Sequence, residues 1–351
     1  MLPFAPLPLP PLPEKPLVSV LVSCHNYEAY VVEAVQSALG QTYAPVEVVV
    51  VDDGSTDGSL ALLHERFAGD RRVRIVAQAN AGQAAAMNAA VAAAAGEVLC
   101  FLDADDTFMP DKCARVVDAF RQRSDAGVLA HGLVQVDGAG RVRATQRVVP
   151  TPGWQGEAIL RRGGGVPAMP QTSALALRRA VADALFPLDA SYRIAADVVV
   201  QRVAPLVTAI ASIPEPLMRY RVHGANHFVE GAVTAQGVDR TLAVVGRSWT
   251  LQKAFLAERF GPGVAARLAP LSADDGWLAM RVQRAYLSGS GFAQAVRSFA
   301  SHPESGASKH GRVARVAARL PGPLARGVWA VVFGEGVHKR ILRALRGLRT
   351  A

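Results

Sequence analysis

Two clusters of carboxylates stand out because each follows directly on an apolar run. Asp52-Asp53 comes after Val46-Glu47-Val48-Val49-Val50-Val51, and Asp103-Ala104-Asp105-Asp106 comes after Val98-Leu99-Cys100-Phe101-Leu102. Aspartate and glycine are ordinary turn formers, so Asp52-Asp53-Gly54-Ser55 taken alone reads as a turn. Three carboxylates within four residues at a strand end repel one another, and a bound cation relieves that repulsion. Hard divalent ions such as Mg²⁺ and Mn²⁺ take one or two carboxylates and fill their shells with phosphate oxygens and water. The second cluster therefore predicts a divalent metal and, with it, a nucleoside diphosphate.

The elements that must position these acids alternate. Leu17 to Ser23 reads as a strand, Tyr30 to Leu39 as an amphipathic helix, and Val46 to Val51 as a strand covered on both faces. A helix from about Ser55 or Asp57 to Phe67, a strand at Val73 to Val76, an Ala-rich helix from Gln83 to Ala95 and a strand at Val98 to Leu102 follow. This order predicts an α/β fold with a parallel, doubly wound sheet, in which ligands sit at the carboxyl ends of the strands. Both acidic clusters occupy such ends. Beyond Asp111 the pattern predicts a helix to about Gln122, a strand from Gly127 to Val136, helices over Leu177 to Leu185 and Ala195 to Val207, and a strand over Ala209 to Ile213. From about Val233 onward it is helical, a C-terminal extension.

Composition narrows the functional class. The 351 residues are 50% hydrophobic and 19% charged, as in a globular protein, and no apolar run approaches the ~20 residues that a membrane-spanning helix requires. Cys24, Cys100 and Cys113 lack metal-ligand spacing and read as reduced and buried, which points to the cytoplasm. The proline-rich stretch 1–16 reads as an extended, mobile tail, giving an expected division into 1–16, a catalytic domain over 17–229 and a helical region over 230–351. The net charge of +9 is concentrated: residues 309–351 carry ten Lys or Arg against Glu335, and the rest of the chain is neutral overall. A basic tail suggests attachment, not a nucleic-acid-binding core. There is no GxxxxGK(S/T) loop, and the first strand leads to Ser23-Cys24-His25-Asn26, not GxGxxG, which argues against kinase, GTPase and dehydrogenase chemistry.

The run Val18 to Glu28, with Ser23-Cys24-His25-Asn26-Tyr27, resembles the opening of family 2 glycosyltransferases of the GT-A fold. The resemblance continues through Ser37 to Tyr43, Val51 to Asp57, Asn80-Ala81-Gly82-Gln83-Ala84-Ala85-Ala86-Met87-Asn88, Phe101 to Asp106, and Tyr220-Arg221-Val222-His223-Gly224-Ala225-Asn226, covering about Pro16 to Phe228. It implies an inverting, metal-dependent transfer of a sugar from a nucleoside-diphosphate sugar to an acceptor hydroxyl, in polysaccharide or other surface-glycan synthesis. Carried over by position, it has Asp53 accept from the nucleotide base, with Ser23 and Asn26 lining the same pocket. Asn80, Gly82, Asn88 and His223 belong to the donor site, Asp103 faces the ribose, and Asp105 with Asp106 holds Mn²⁺ or Mg²⁺. The family opens a helix facing the acceptor with a Glu-Asp pair. Here the place is Ala195-Ala196-Asp197, so Asp197 alone is the expected general base. His25 stands where Tyr is more usual, and Met87 where Arg often precedes the asparagine.

Other readings remain at this level. A non-catalytic nucleotide-sugar-binding scaffold on the same fold would accommodate the missing glutamate, whereas a nucleotidyltransferase would need a glycine-rich loop that is absent. In Lys339 to Arg349, apolar and basic residues recur at helical spacing. Such a helix either lies on an anionic membrane, placing the enzyme peripherally at the inner face near a lipid-linked acceptor, or packs its leucines on the catalytic domain.

Overall fold

A computed structural model describes residues 3–147, 149–166, 168–223, 234–302 and 309–333. The expected alternation is present: β1 (Val18–Cys24), α1 (Val31–Leu39), β2 (Val46–Asp53), α2 (Ser59–Phe67), β3 (Val73–Gln78), α3 (Gln83–Ala93) and β4 (Val98–Asp103). Then come β5 (Thr107–Phe108), α4 (Lys112–Gln122), β6 (Ala126–Asp137), β7 (Val142–Gln146), α5 (Gly156–Arg161), β8 (Leu175–Arg178), α6 (Arg179–Leu185), α7 (Asp197–Val207) and β9 (Ala209–Val222). They form one sheet in the order β3-β2-β1-β4-β8-β6-β9-β5, with β7 on β6. β1 to β4 are parallel to their neighbours in this group, and the short β8 runs antiparallel between β4 and β6. The sheet is thus mixed and mostly parallel, of the GT-A type.

The all-apolar centres of β1, β2 and β4 are buried on both faces: Val20, Val48, Val50, Val98 and Cys100 on one and Val49, Val51 and Leu99 on the other are each fully shielded. Helices α1 and α4 lay their apolar stripes against one face, contributing Val31, Val35, Cys113, Val117 and Phe120. Burial of each such side chain is worth about 1.5–3 kcal/mol, enough to fix strand register. That register sets the site. Ser23 of β1 lies between Val51 of β2 and Asp103 of β4, so the ends of three strands reach one edge together.

Two elements differ from expectation. Leu175–Arg178 is a strand, not the start of a helix: pairing of Leu177 with both Leu99 and Val128 overrides its helical propensity. β9 also runs through Pro214 and Pro216, which lack an N–H. The ladder shifts register there, His131 pairing Ile213 and Gly132 pairing Pro216, so the prolines fall in an irregularity.

By contacts the described chain forms two compact units, residues 3–156 with 166–223, and residues 157–165 with 234–333. The proline-rich segment does not stand clear of the first unit. It is extended, but Leu7 N–H donates to Val207 O at 2.7 Å, Arg178 and Arg121 donate to the carbonyls of Pro10 and Glu14, and Phe4 packs on Trp154. Proline favours the extended form, and its side chains still bury area. The second unit holds α8 (Ala235–Phe260), α9 (Pro262–Ala266), α10 (Asp275–Ser288), α11 (Phe292–Ala300), α12 (Lys309–Ala317) and α13 (Gly322–Phe333). It also takes in the excursion 157–165, where Leu160 O accepts from Ala269 N–H and Gly164 O from Gln252. No composition change marks that crossing. Among the described residues, no helix is long and apolar enough to cross a membrane. The stretch Lys339 to Arg349 and Gly224-Ala225-Asn226 lie outside the described residues.

Candidate active site

At the end of β2, Asp53 is only 4% exposed and is surrounded by donors. Its carboxylate accepts from Gln78 Nε2 at 2.7 Å and from the backbone N–H groups of Ala81 at 2.8 Å and Gly82 at 2.7 Å. The carboxylate expected to meet the nucleotide base thus also receives the protein's own donors, which shape the loop before α3. Gly82 is required there: φ is +93°, and a Cβ would come within 2.5 Å of Arg193 Cα. Asp52 faces the opposite side, accepting from Ser55 N–H at 3.0 Å.

The same loop makes a polar rim. His25 Nδ1 lies 2.8 Å from Asp53 O, so that nitrogen donates and Nε2 accepts, with Asn80 Nδ2 at 3.0 Å and Asn26 Nδ2 at 3.3 Å. Asn26, at φ 59°, accepts Thr56 N–H at 2.7 Å, an arrangement asparagine tolerates well. Asn80 Oδ1 accepts from the exposed Arg193. Ser23, Asn26, Asn80 and Gly82 are thereby gathered at one edge of the sheet. Asn88, also expected at the donor, bonds the Leu188 backbone through both ends of its amide, at 2.8 and 2.7 Å.

At the end of β4 the acids crowd together. Asp106 is 1% exposed, accepting Ser173 Oγ–H at 2.6 Å and Arg221 N–H at 2.9 Å, so its carboxylate ties β9 to the 3₁₀ turn Thr172–Ala174. Both oxygens of Asp106, the second residue expected at the metal, thus carry a hydrogen bond within the protein. Asp105 instead meets His223, Oδ2 to Nε2 at 3.0 Å, while Tyr30 and Tyr27 pack on the imidazole with ring centroids 5.0 and 6.0 Å away. Arg221 is buried, donates to Asp105 O and to Glu33, and lies over the Tyr30 ring, so it braces the loop. Asp103 remains partly exposed, its N–H donating to Ser173 Oγ at 2.9 Å.

Asp197 joins this group from the first turn of α7. Its Oδ2 accepts from Gln201 at 2.9 Å, and Thr172 also bonds it. Ala196 N–H, one residue before, donates to Gln83 Oε1 at 2.9 Å, which docks the start of α7 beside α3. Burial, then the charges of Asp105 and Asp197, pushes the Asp103 carboxyl up to about 8. Burial likewise raises Asp105, Asp106 and Asp197 above the usual carboxylate range. The phenols of Tyr27 and Tyr220 are raised by burial and by the same carboxylates, which places both beside the cluster.

Thr172, Ser173, Tyr27, Tyr220, Arg193 and Lys112 were not singled out by sequence reasoning. Tyr27 and Tyr220 lie within the motifs themselves, a signal that was available. Lys112 carried none: it is fully buried, donates to Ser173 O at 2.6 Å, covers the Phe108 ring at 3.4 Å, and is held down to about 8 by burial.

For a divalent ion the donor set fits as an open site. Among the described residues no three His, Cys, Asp or Glu side chains enclose an ion, while Asp105 and His223 are paired at 3.0 Å beside Asp103. Such a pair leaves positions for diphosphate oxygens and water, as Mg²⁺ and Mn²⁺ sites commonly do.

The glycosyl transferase family 2 model matches residues 19–185. An uncharacterized glycosyltransferase of Nostoc sp. is 36% identical over 224 residues, 61% of this chain and 67% of that one. Chondroitin synthase of Escherichia coli is 42% identical over 107 residues, 30% of this chain and only 16% of the synthase. Among solved structures, S. aureus TarS 1–349 in complex with UDP superposes with a TM-score of 0.51 at 18% identity, covering 90% of each chain, which shows a common fold.

Proposed function

Because the chain belongs to glycosyltransferase family 2, we propose that it transfers a sugar, with inversion, from a nucleoside-diphosphate sugar to an acceptor hydroxyl of a polysaccharide or other surface glycan. The observation that carries this reading is the gathering of Asp103, Asp105, Asp106, Asp197 and His223 at the carboxyl edge of the sheet, where a charged donor would enter. The UDP bound by TarS and the glycan in the name of the E. coli synthase support the donor and acceptor classes.

In this proposal Ser23, His25, Asn26, Asn80 and Arg193 line the nucleoside end of the donor site, and Asp53 holds its floor in shape through Ala81 and Gly82. Asp103 faces the ribose and diphosphate. Asp105 and His223 would hold Mn²⁺ or Mg²⁺, which when bound neutralises charge on the departing diphosphate. Asp197 takes the proton from the acceptor hydroxyl; burial raises its basicity, and Gln201 and Thr172 hold its oxygens in place. A glycan chain, free or lipid-linked, is the acceptor.

The test is a panel of UDP-, GDP- and dTDP-sugars with Mn²⁺ or Mg²⁺, followed by thermal stabilisation and donor turnover. Wild type is expected to be stabilised by one donor only when metal is present, and Asp105→Ala to lose that stabilisation. Asp197→Ala should keep donor affinity within about twofold and lose 10²–10⁴ in kcat, the usual weight of a positioned base. Undiminished metal-dependent binding in Asp105→Ala would overturn the metal assignment. Full transfer by Asp197→Ala would remove it as the base.

A further inference from the structure

Helices α12 and α13 pack one side into the core of the second unit and leave an unusual outer side. Inward, Ala314 and Ala317 of α12 and Ala325 and Trp329 of α13 join Leu278, Val282 and Phe299. Outward, Val316 is 53% and Leu324 59% exposed, both among the most exposed large apolar side chains described. Beside them runs a groove of about 540 Å³ lined by Leu320, Pro323, Leu324, Gly327, Val328 and Val332. Single exposed apolar residues are ordinary, whereas a continuous apolar groove marks a binding surface.

Its charge says what covers it. Residues 309–333 contain Lys309, Arg312, Arg315, Arg319 and Arg326 and no Asp or Glu. Arg312 and Arg315 are exposed on α12 beside Val316, and Arg319 is exposed in the turn that follows it. Arg326 serves the core instead, lying over the Tyr286 and Phe292 rings and donating to Tyr286 O at 2.8 Å. An apolar strip beside exposed cations, with no acid in the segment, matches the interface of an anionic leaflet, whose acyl boundary takes leucine and valine and whose phosphates take arginine. A second copy of this face fits poorly, since it would set one basic segment against another.

The geometry points to the outer side of α12 and α13 as a docking surface for an anionic lipid bilayer. Each basic side chain near such a leaflet raises partitioning about fivefold, and each apolar side chain that enters it adds a similar factor or more. The inference concerns these two helices and does not depend on the donor chemistry.

Sedimentation of the full chain with vesicles of phosphatidylcholine alone, and with phosphatidylglycerol added, tests it. Wild type is expected to bind only the anionic vesicles. Val316→Asp with Leu324→Asp should weaken binding at least about tenfold, and Arg315→Glu with Arg319→Glu by a comparable factor, with the melting temperature and turnover of a soluble donor unchanged. Both side-chain pairs are exposed, so neither double variant removes core packing. Binding by both variants equal to wild type would overturn the proposal and assign any attachment to residues 339–349. So would gel filtration showing a wild-type dimer that the aspartate variant splits without any vesicle binding by wild type.

Discussion

Asp53 at the end of β2 and the acids beyond the end of β4 are the same residue type on the same edge of one sheet, yet their surroundings differ completely. Three N–H donors converge on Asp53, the Gln78 side chain at the end of β3 and two amides of the loop that follows, so its charge is balanced inside the fold. Asp103, Asp105 and Asp106 crowd together near Asp197; burial lifts all three carboxyls, and repulsion from neighbouring acids adds to it for Asp103 and Asp106. The first arrangement builds structure. The second stores unfavourable charge that a cationic ligand can relieve, and this distinguishes a binding site from a turn.

That contrast can be broken by substitution. Asp53→Ala should cause the largest stability loss, about 3 kcal/mol, because it strands Gln78 and two loop amides; thermal unfolding should show a drop of roughly 10 °C. An unchanged melting temperature would mean that Asp53 is no more structural than the second cluster.

Asp103 should behave oppositely in metal-free protein. Its carboxyl is raised from 3.8 to about 8, so the folded state favours the proton. Its stabilising contribution is complete below about pH 4 and is lost as pH rises through 8. Melting of wild type and Asp103→Asn in the presence of a chelator should therefore coincide near pH 4 and diverge toward pH 8, the variant becoming more stable by about 1–2 kcal/mol given the partial exposure of Asp103. Parallel curves would remove the claim of stored charge. Gln78→Ala sharpens the comparison at the small end: one donor of three is lost from Asp53, costing about 1 kcal/mol in chemical denaturation.

Much of this arrangement was legible beforehand. The apolar runs of β1, β2 and β4 and the acids that end them are adjacent in sequence, and periodicity reports such local patterns well. β8 was not legible because Leu175-Ala176-Leu177 is too short to show a period, and its strand conformation comes from pairing with β4 and β6. The passage of β9 through two prolines depends on an irregular ladder with β6 that no local rule anticipates. Asn88 looked like a donor ligand because it sits in a motif, while its partner Leu188 stands 100 residues away.

The residues alone therefore determined which strands end in acids, and the order of motifs that places the chain in its family. Only the tertiary structure decided which of those acids are satisfied and which are left to bind. Asp106 is closed by Ser173 and Arg221, 67 and 115 residues distant, while Asp105 meets His223 at a separation of 118. A carboxylate's chemistry follows from the donors and charges around it, and here folding supplies them from far along the chain.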